Sequence, residues 1–535
     1  YLPFNDAAST TTISQDRSGN GNNWTSSGIS VTAGTTFDQM LDTPTNNYAT
    51  MNPIWAGANG FSRGNLRVSP NSNQHATISV DSGAFYFEAT LAQLIGSSDS
   101  TGVGIVNLAN SSDSRYIRSR LSDCAVKTTT AAEATGFGFW SPGEIIGIAF
   151  NPTTNFFEVR RNNVVQASSS SAGLSGAVWV PQIQSQSSAQ LPVWDLNFGQ
   201  LAFAYTPPTG FVALNTANLP TPTIPRGDDA FQTLLYNGNG GTLDVTGARF
   251  QPDFVWAKER NSADNHALAN GVVGLPNWMP SNQSLAELTT SEFAQFLPNG
   301  VRLGGAGNIN SAGASGVTWL WRRGAAYGFD IVAATGTGAN RAIAHGLNAV
   351  PHFMIAKRRD ASGDWVAYHR SLAADNFLYL NLPNAAAVNA TFWNGAPNSS
   401  VFNVGTQAAT NANGGTYVHY LWTSIPGFSR FGGYAGNGSA DGTFVWCGFR
   451  PRFILIKNIT GATSWSLFDT AINPANQAGP RLIPNLAAAE AADGVLDILS
   501  SGFKLRENNA NTNGAATNYV FAAFAETPFK FANAR

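Results

Sequence analysis

The sequence predicts an all-β protein with an N-terminal arm, one β-sandwich and three similar small β domains. Three observations support this class. The 535 residues include 34 Phe, 14 Trp and 13 Tyr, and aromatic residues favour strands. The 54 Gly and the frequent Asn, Ser and Thr indicate many turns between short strands. Long helical periodicity is nearly absent, so only residues 285–296 and 485–499 are predicted as short helices.

Charge and cysteine content exclude several classes of protein. Lys and Arg number 30 against 32 Asp and Glu, so the net charge is −2 and no nucleic-acid partner is expected. No run of about 18 apolar residues occurs, so membrane insertion is not expected either. Cys124 and Cys447 are too few for a disulfide framework or a cysteine-based zinc site, and both are predicted to be buried thiols.

The first half of the chain contains an arm, a sandwich and a linker. Residues 1–55 are rich in Asn, Thr and Ser and are predicted as an extended arm. The chain begins with Tyr1 rather than Met, and we expect a further segment before it. Residues 56–215 alternate apolar and polar positions as strands do, with hairpin chemistry at 151–155. Residues 216–230 are rich in Pro and are predicted as a semi-rigid linker.

The second half contains an internal repeat of about 100 residues. A pattern that begins Pro-x-Phe and ends in Lys occurs at 252–258, 351–357 and 451–457. Aromatic strands follow at 317–321, 418–422 and 520–524, and shorter apolar stretches precede these at 301–303, 402–404 and 503–505. The opening aromatic residues are Phe231, Phe329 and Phe428. We therefore predict three β domains, at 231–326, 327–426 and 427–535.

The repeated lysines, Lys258, Lys357 and Lys457, could be catalytic or structural. No acidic residue repeats beside them, which disfavours catalysis. We expect strand-end lysines whose stems cover apolar surface while the ammonium groups stay in water.

Two parts of the chain resemble known families. Residues 143–150, 156–163, 197–200 and 203–211 resemble SPRY domains, which are concanavalin-A-like sandwiches used for binding. Residues 1–4, 16–25 and 42–53 are similar to bacteriophage tail and virion proteins, in which a laminin-G-like lectin domain precedes this stretch. The repeats and the ending at 524–535 resemble the same phage proteins.

This resemblance implies a non-enzymatic protein on the surface of the phage particle, with a tail fibre or spike favoured. The expected partners are other virion proteins and a host-surface receptor, either glycan or protein. A homo-oligomer is expected, and the analogy with fibres suggests a trimer. Two alternatives stay open: a head fibre or capsid-decoration protein, and a depolymerase of host polysaccharide. No cofactor is expected apart from the calcium candidate below.

Oxygen-bearing side chains alternate at Asp16, Ser18, Asn20 and Asn22, with glycine at the sixth position, as in a calcium loop. The twelfth position holds Ser27 instead of the bidentate Glu that the full motif requires. A Gly-Asn turn is therefore favoured, and calcium is the alternative. The six histidines show no ligand spacing, so no other metal site is predicted.

Two tryptophans are candidates for ligand binding. Trp365 and Trp465 are 100 residues apart, and each follows a polar turn. An exposed indole can stack against a sugar ring, whereas a repeated aromatic residue is more often part of each domain's core. The core interpretation is favoured.

One pair of acidic residues is a candidate for hydrolysis of a glycosidic bond. Glycosidases need two carboxylates that face one sugar bond, and Glu144 and Glu158 lie on adjacent predicted strands. No nucleophile elbow and no phosphate-binding loop are present. Depolymerase activity is therefore an alternative without a supporting motif.

Overall fold

The computed structural model describes residues 9–16, 18–27, 46–55, 57–94, 101–108, 110–120, 123–185, 191–305, 307–373 and 375–527. Residues 1–4, 42–45 and 528–535, which carry part of the phage resemblance, lie outside this description. The described residues form two compact units, one that ends at Thr221 and one that begins at Pro222. Strands dominate both units, which confirms the predicted all-β class.

The first unit is a sandwich of two mostly antiparallel sheets. In chain order its elements are α1 (Thr10–Ile13), β1 (Phe61–Ser62), β2 (Arg67–Val68), β3 (Gln74–His75), β4 (Phe85–Gln93), β5 (Thr101–Asn107), β6 (Asn110–Arg120), β7 (Asp123–Lys127), β8 (Ala134–Thr135), β9 (Ile145–Asn151), β10 (Phe156–Arg161), β11 (Val164–Ser169), β12 (Trp179–Ser185), β13 (Val193–Asn197) and β14 (Val212–Ala213). One sheet has the order β1-β2-β13-β4-β9-β10-β11, with β14 parallel to β4, and the other has the order β3-β12-β5-β6-β7-β8.

The sandwich core lies between these sheets and includes the buried Trp179 and Trp194. The predicted hairpin at 151–155 joins β9 to β10, and Asn155 has the positive φ of 58° that such turns require. Residues 46–51 belong to the sandwich rather than to a separate arm, because Ala49 and Met51 are buried in its core.

The second unit consists of three lobes. Lobe 1 contains β15 (Phe231–Asn237), β16 (Leu243–Thr246), β17 (Phe254–Glu259), β18 (Ala267–Asn270), β19 (Met279–Pro280), β20 (Phe293–Leu297), β21 (Gly300–Leu303) and β22 (Ser315–Trp321). Lobe 2 contains β23 (Phe329–Thr335), β24 (Arg341–Ala344), β25 (Phe353–Arg358), β26 (Val366–His369), β27 (Asn376–Tyr379), β28 (Ala387–Val388), β29 (Val401–Val404), α2 (Ala408–Asn411) and β30 (Thr416–Trp422). Lobe 3 contains β31 (Ser429–Ala435), β32 (Phe444–Trp446), β33 (Arg450–Asn458), β34 (Ser466–Asp469), β35 (Leu496–Leu499), β36 (Gly502–Leu505) and β37 (Asn518–Thr527).

The three lobes repeat one strand order. The larger sheets begin β15-β22-β17-β18, β23-β30-β25-β26 and β31-β37-β33-β34. The smaller sheets pair β16 with β21, β24 with β29 and β32 with β36. Phe231 faces Trp321 and Phe329 faces Trp422, whereas Ser429 occupies this register in lobe 3. Phe428 therefore lies one place before the equivalent position.

One hydrophobic core is shared by all three lobes. A single buried cluster includes Trp321 from lobe 1, Trp422 from lobe 2 and Phe524 from lobe 3. The rings of Trp321 and Trp422 are 6.3 Å apart, and those of Trp321 and Phe524 are 5.7 Å apart. Ile224, from the predicted linker, is buried in the same cluster. The repeats therefore pack as parts of one unit, although lobes 1 and 2 also have smaller clusters of their own.

Both predicted helices are wrong. Residues 293–297 form β20 and residues 496–499 form β35, while the preceding residues are loops. The reason lies in the neighbouring lobe: the backbone N–H of Glu287 donates to the Arg359 carbonyl, and that of Glu490 donates to the Arg260 carbonyl. The Glu490 N–H lies in the interior of its predicted helix, so this bond takes a main-chain donor that a helix would need, whereas the Glu287 bond ties the first turn of the other predicted helix to lobe 2.

Candidate functional site

A buried ring at one repeated position joins each lobe to the one before it. Nε1 of Trp365 donates to the Pro280 carbonyl at 2.9 Å, and Nε1 of Trp465 donates to the Tyr379 carbonyl at 2.8 Å. Counted from the repeated lysine, His266 holds this position in lobe 1. Burial lowers the pKa of His266 well below its usual value, and the neighbouring Ile483 carbonyl of lobe 3 opposes this shift only in part.

Trp365 and Trp465 are therefore not a stacking platform for sugars. Their exposed fractions are 0% and 1%, so neither indole presents a face to a ligand. Their N–H groups are already bound to the main chain of the preceding lobe.

The repeated lysines are buried, which contradicts the prediction that their ammonium groups stay in water. Nζ of Lys457 donates to the carbonyls of Pro383, Asn458 and Thr463 at 2.7–3.1 Å. Nζ of Lys357 donates to Ser284 and Gly363 in the same manner. Burial lowers the pKa of Lys457 to about 7. Around Lys357 and Lys457, carbonyls from the preceding lobe and from the local turn take the place of water, whereas Lys258 donates to the carbonyls of Glu259 and Ser262 in its own lobe.

A third contact repeats with different side chains. Arg260 binds Glu490 through two hydrogen bonds of 2.8 and 3.0 Å, and Arg359 binds Glu287 through two of 2.7 and 3.1 Å. At the remaining junction Ile459 replaces the arginine, and the Ala386 N–H donates to its carbonyl at 3.1 Å. Lobe 1 thus binds lobe 3, lobe 2 binds lobe 1, and lobe 3 binds lobe 2. The three lobes close into a ring.

Polar residues at the end of β18, β26 and β34, the fourth strands in these sheet orders, bind each lobe to the lobe that follows it in the ring. Nδ2 of Asn270 donates to the Tyr420 hydroxyl at 2.9 Å. Nε2 of His369 lies 3.1 Å from the Phe521 carbonyl. Asp469 Oδ2 accepts from Thr233 Oγ1 at 2.7 Å and from Trp319 Nε1 at 2.9 Å. Burial raises the pKa of Asp469 to about 6, and burial lowers that of His369 to about 4.

Sequence reasoning missed one repeated residue. Asn310, Asn411 and Asn513 are fully buried, and their amides bind backbone carbonyls of the loop that follows the first strand of each lobe. The signal was available, because the three asparagines are spaced by 101 and 102 residues. Their role is structural.

An open groove of about 360 Å³ lies at the junction of lobes 1 and 2. One wall is the edge strand β23 at residues 330–333, and the other is the segment 344–346 at the end of β24. Val272 and Arg323 contribute from lobe 1. Val272 is 37% exposed, so the groove has one apolar surface patch beside its polar groups.

The charged groups of the groove are held in a fixed geometry. Arg323 Nε donates to Asp330 Oδ1 at 2.6 Å, and the side chain of Arg323 is 44% exposed. The Asp330 carboxylate also accepts from the backbone N–H groups of Ile331 at 2.8 Å and Gly346 at 2.6 Å. His345 Nε2 lies 3.1 Å from the Asn398 carbonyl, and its Nδ1 accepts from the Leu347 N–H. Among the described residues, no partner binds the terminal nitrogens of Arg323.

The calcium candidate is a turn closed by its own aspartate. The Asp16 carboxylate accepts from the Ser18 N–H at 2.8 Å, the Ser18 hydroxyl at 2.7 Å and the Asn22 N–H at 3.1 Å. Asn20 donates its N–H to the Ser18 hydroxyl at 3.4 Å. This geometry fits the Gly-Asn turn.

The candidate acid pair does not converge. Glu158 binds Arg160 at 2.7 Å, and Glu144 binds Arg161 at 2.9 Å. Arg160 and Arg161 are consecutive in β10, so they point to opposite faces of the sheet. Glu144 and Glu158 therefore cannot flank one sugar bond.

In the described part of the chain, no group of three His, Cys, Asp or Glu side chains is placed to hold a metal ion. No helix there is long and apolar enough to cross a membrane. Cys124 and Cys447 are both buried and free, as predicted, and burial raises the pKa of Cys124 to about 12.

The fold and these contacts define an all-β protein with a sandwich unit and a closed three-lobed unit. The model of one family, described as "Domain of unknown function (DUF7483)", matches residues 226–528, more than half of the chain. The chain belongs to this family.

Solved structures are similar to a smaller part of the chain. The TRIM65 PSpry domain is 12% identical, with 28% of this chain and 92% of that chain covered and a TM-score of 0.23. The SPRY domain of human HERC1 is 11% identical, with 30% and 99% covered and a TM-score of 0.21. Alginate lyase A1-II′, of polysaccharide lyase family 7, is 12% identical, with 24% and 68% covered and a TM-score of 0.19. No curated protein matches the chain.

Proposed function

We propose that this chain is a non-enzymatic surface protein of a phage particle, a tail fibre or spike that binds the host. The proposal rests on the resemblance of the N-terminal and C-terminal stretches to phage virion proteins. It also rests on a contrast between buried polar groups, which have structural roles, and the exposed polar groups of one groove. The repeated polar residues of the three lobes are buried in structural contacts, whereas the groove between lobes 1 and 2 turns a fixed arginine outward.

That division is the observation that carries the proposal. Catalysis needs polar groups that can reach a substrate, and the candidate acids Glu158 and Glu144 are bound to consecutive arginines that point to opposite faces of the sheet. The groove offers fixed hydrogen-bonding groups beside an apolar patch, and this combination is typical of binding sites.

The test is adsorption to host cells. Labelled protein should bind the host of the phage that encodes it and should reduce phage adsorption when added first. Cells of a non-host strain are the control. If the protein neither binds host cells nor competes with the phage, the fibre proposal fails.

The two alternatives give different results. A head fibre or capsid-decoration protein would be found on the capsid by immunogold labelling of particles, and its removal would change capsid stability rather than adsorption. A depolymerase would shorten purified host polysaccharide, which size-exclusion chromatography detects. A binding protein leaves the polysaccharide intact.

We further propose that the chain acts as a homo-oligomer, such as a trimer, together with other virion proteins. Several weak sites on one particle gain avidity without any new contact. Sedimentation of the purified chain tests the assembly, and a monomer at micromolar concentration would contradict it.

We propose that binding requires no cofactor. The Asp16 turn is the place where calcium would act if this is wrong. Addition of calcium should leave the melting temperature unchanged, because hydrogen bonds within the turn already engage the carboxylate. An increase that the Asp16→Asn variant abolishes would identify a calcium site.

A further inference from the structure

The junction of lobes 1 and 2 differs from the junction of lobes 2 and 3 in the two charged residues that line the groove, Arg323 and Asp330. Arg323 follows Trp321 by two residues, and Ser424 follows the equivalent Trp422 by two. The Ser424 hydroxyl has its hydrogen-bond partners inside the protein: it lies 3.0 Å from His352 Nδ1 and accepts from the Phe431 N–H. Asp330 is likewise replaced by Arg430, which stacks on Trp446 at 4.7 Å. Of these two junctions, only the junction of lobes 1 and 2 therefore presents an outward-facing guanidinium, that of Arg323.

The edge of β23 supplies hydrogen-bonding groups beside this arginine. Gly328 accepts from the Thr423 N–H and Gly336 donates to the Gly415 carbonyl, so the even-numbered residues of β23 bond to β30. The main-chain groups of Ile331 and Ala333 consequently point away from β30. No other strand among the described residues pairs with β23.

These groups do not suit the addition of a long peptide strand. The Ile331 N–H is already bound to the Asp330 carboxylate at 2.8 Å. Only the Ile331 carbonyl and the N–H and carbonyl of Ala333 remain for a ligand. Strand addition draws its affinity from a longer ladder of main-chain bonds. A small ligand with several hydroxyl groups can use three such positions, since each hydroxyl both donates and accepts.

We propose that the groove between lobes 1 and 2 binds one acidic sugar unit, with its carboxylate on Arg323 and its hydroxyls on the outward main-chain groups of Ile331 and Ala333. Two terminal nitrogens on a planar guanidinium match the two oxygens of a carboxylate. Val272 offers an apolar surface for the C–H face of the sugar ring. A volume of about 360 Å³ suits one or two sugar units.

The Asp330 carboxylate does not rule out an anionic ligand. It accepts three hydrogen bonds, two of them from backbone N–H groups, so its charge is dispersed inside the protein. Its bond to Arg323 Nε fixes the guanidinium and leaves the terminal nitrogens free to point outward. The arginine thus meets the ligand already oriented, which lowers the entropic cost of binding.

This inference deepens the proposed function, since it names the ligand class of a host-binding protein. The experiment is a titration of the whole chain with sodium D-glucuronate and with D-glucose, followed by saturation-transfer NMR. Glucuronate should bind at least about tenfold more tightly than glucose, because charge-assisted hydrogen bonds to a carboxylate are roughly twice as strong as neutral ones. Equal binding of the two sugars would overturn the assignment of the carboxylate.

Arg323→Gln should weaken glucuronate binding by about tenfold and leave glucose binding unchanged. The matched control is Arg249→Gln. Arg249 is 46% exposed and binds Asp229 at 2.8 Å, but it does not line the groove. That variant should bind glucuronate as the natural protein does. An equal loss in both variants, or no loss in Arg323→Gln, would refute the proposed site.

The failure of this inference is distinguishable from failure of the proposed function. If the protein adsorbs to host cells and Arg323→Gln adsorbs equally well, with no binding of glucuronate, the groove assignment is wrong and host binding stands. If glucuronate binds through Arg323 while the protein does not adsorb, the sugar site stands and the fibre function is wrong.

Discussion

The junction of lobes 1 and 2 and the junction of lobes 2 and 3 make the same main-chain contacts with different side chains. Both contain an indole N–H that donates to a carbonyl of the preceding lobe and a buried lysine on a second carbonyl. Yet the first junction has an ion pair between Arg359 and Glu287, where the second has Ile459 and Ala386. A carbonyl is present at every residue, so acceptor positions survive substitution and the side chains around them can diverge.

The largest expected effect is at the indole shared by these junctions. Trp465→Ala should lower the free energy of unfolding by about 3–5 kcal/mol, because it opens a cavity and leaves the Tyr379 carbonyl without its donor. Urea denaturation monitored by circular dichroism measures this. Trp465→Phe keeps most of the volume and should cost about 1–2 kcal/mol. If the two variants were equally destabilised, packing would not be the main contribution.

The second prediction compares the buried polar residues that seal two junctions. The folded-state pKa of Asp469 is raised to about 6. The contribution of Asp469 to the free energy of unfolding is therefore fully present below its unfolded-state pKa and is lost as the pH rises through 6. The stability difference between the natural protein and Asp469→Asn should therefore fall by about 3 kcal/mol between pH 4 and pH 7.

His369 should show the opposite slope. The folded-state pKa of His369 is lowered to about 4. The contribution of His369 to the free energy of unfolding is therefore fully present above its unfolded-state pKa and is lost as the pH falls from 6.5 to 4. The difference in free energy of unfolding between the natural protein and His369→Asn should therefore decrease toward low pH. Denaturant curves for the three proteins over pH 4–7 measure both slopes, and equal slopes would contradict the pKa shifts.

The third prediction converts one junction into the other. Glu287→Ala should cost about 1–2 kcal/mol, because it leaves Arg359 half-buried without its partner. The double variant Arg359→Ile with Glu287→Ala reproduces the pair found between lobes 2 and 3. It should recover most of that loss, with a coupling energy of about 1 kcal/mol in the double-mutant cycle. Additive losses would show that the two junctions are not interchangeable.

The smallest expected effect is at the centre of the ring. Lobe 3 has Ala522 where the ladder positions of lobes 1 and 2 have Trp319 and Tyr420, and a small apolar cavity of about 20 Å³ remains beside it. Ala522→Val should raise the free energy of unfolding by up to about 1 kcal/mol, since it fills the cavity with two methyl groups. Ala522→Trp, which would overfill the space, should destabilise the protein in the same assay.

The sequence predicted the all-β class and the spacing of the repeated strands because aromatic and apolar residues mark them directly. It could not predict closure of the ring, because the acceptors at Pro280, Tyr379 and Ser284 are main-chain carbonyls that no residue type reveals. The prediction that the ammonium groups of the repeated lysines stay in water was wrong for the same reason, because their acceptors are also main-chain carbonyls. The groove was missed because it depends on the absence of a strand beside β23 and on an arginine that has no equivalent in the next lobe.

Ring closure within a single polypeptide has a consequence for dilution. A ring assembled from three separate subunits falls apart when its concentration drops below the dissociation constant, whereas here the partners are tethered and their mutual encounter does not depend on how many molecules are present. A single molecule at any dilution would keep the three lobes closed.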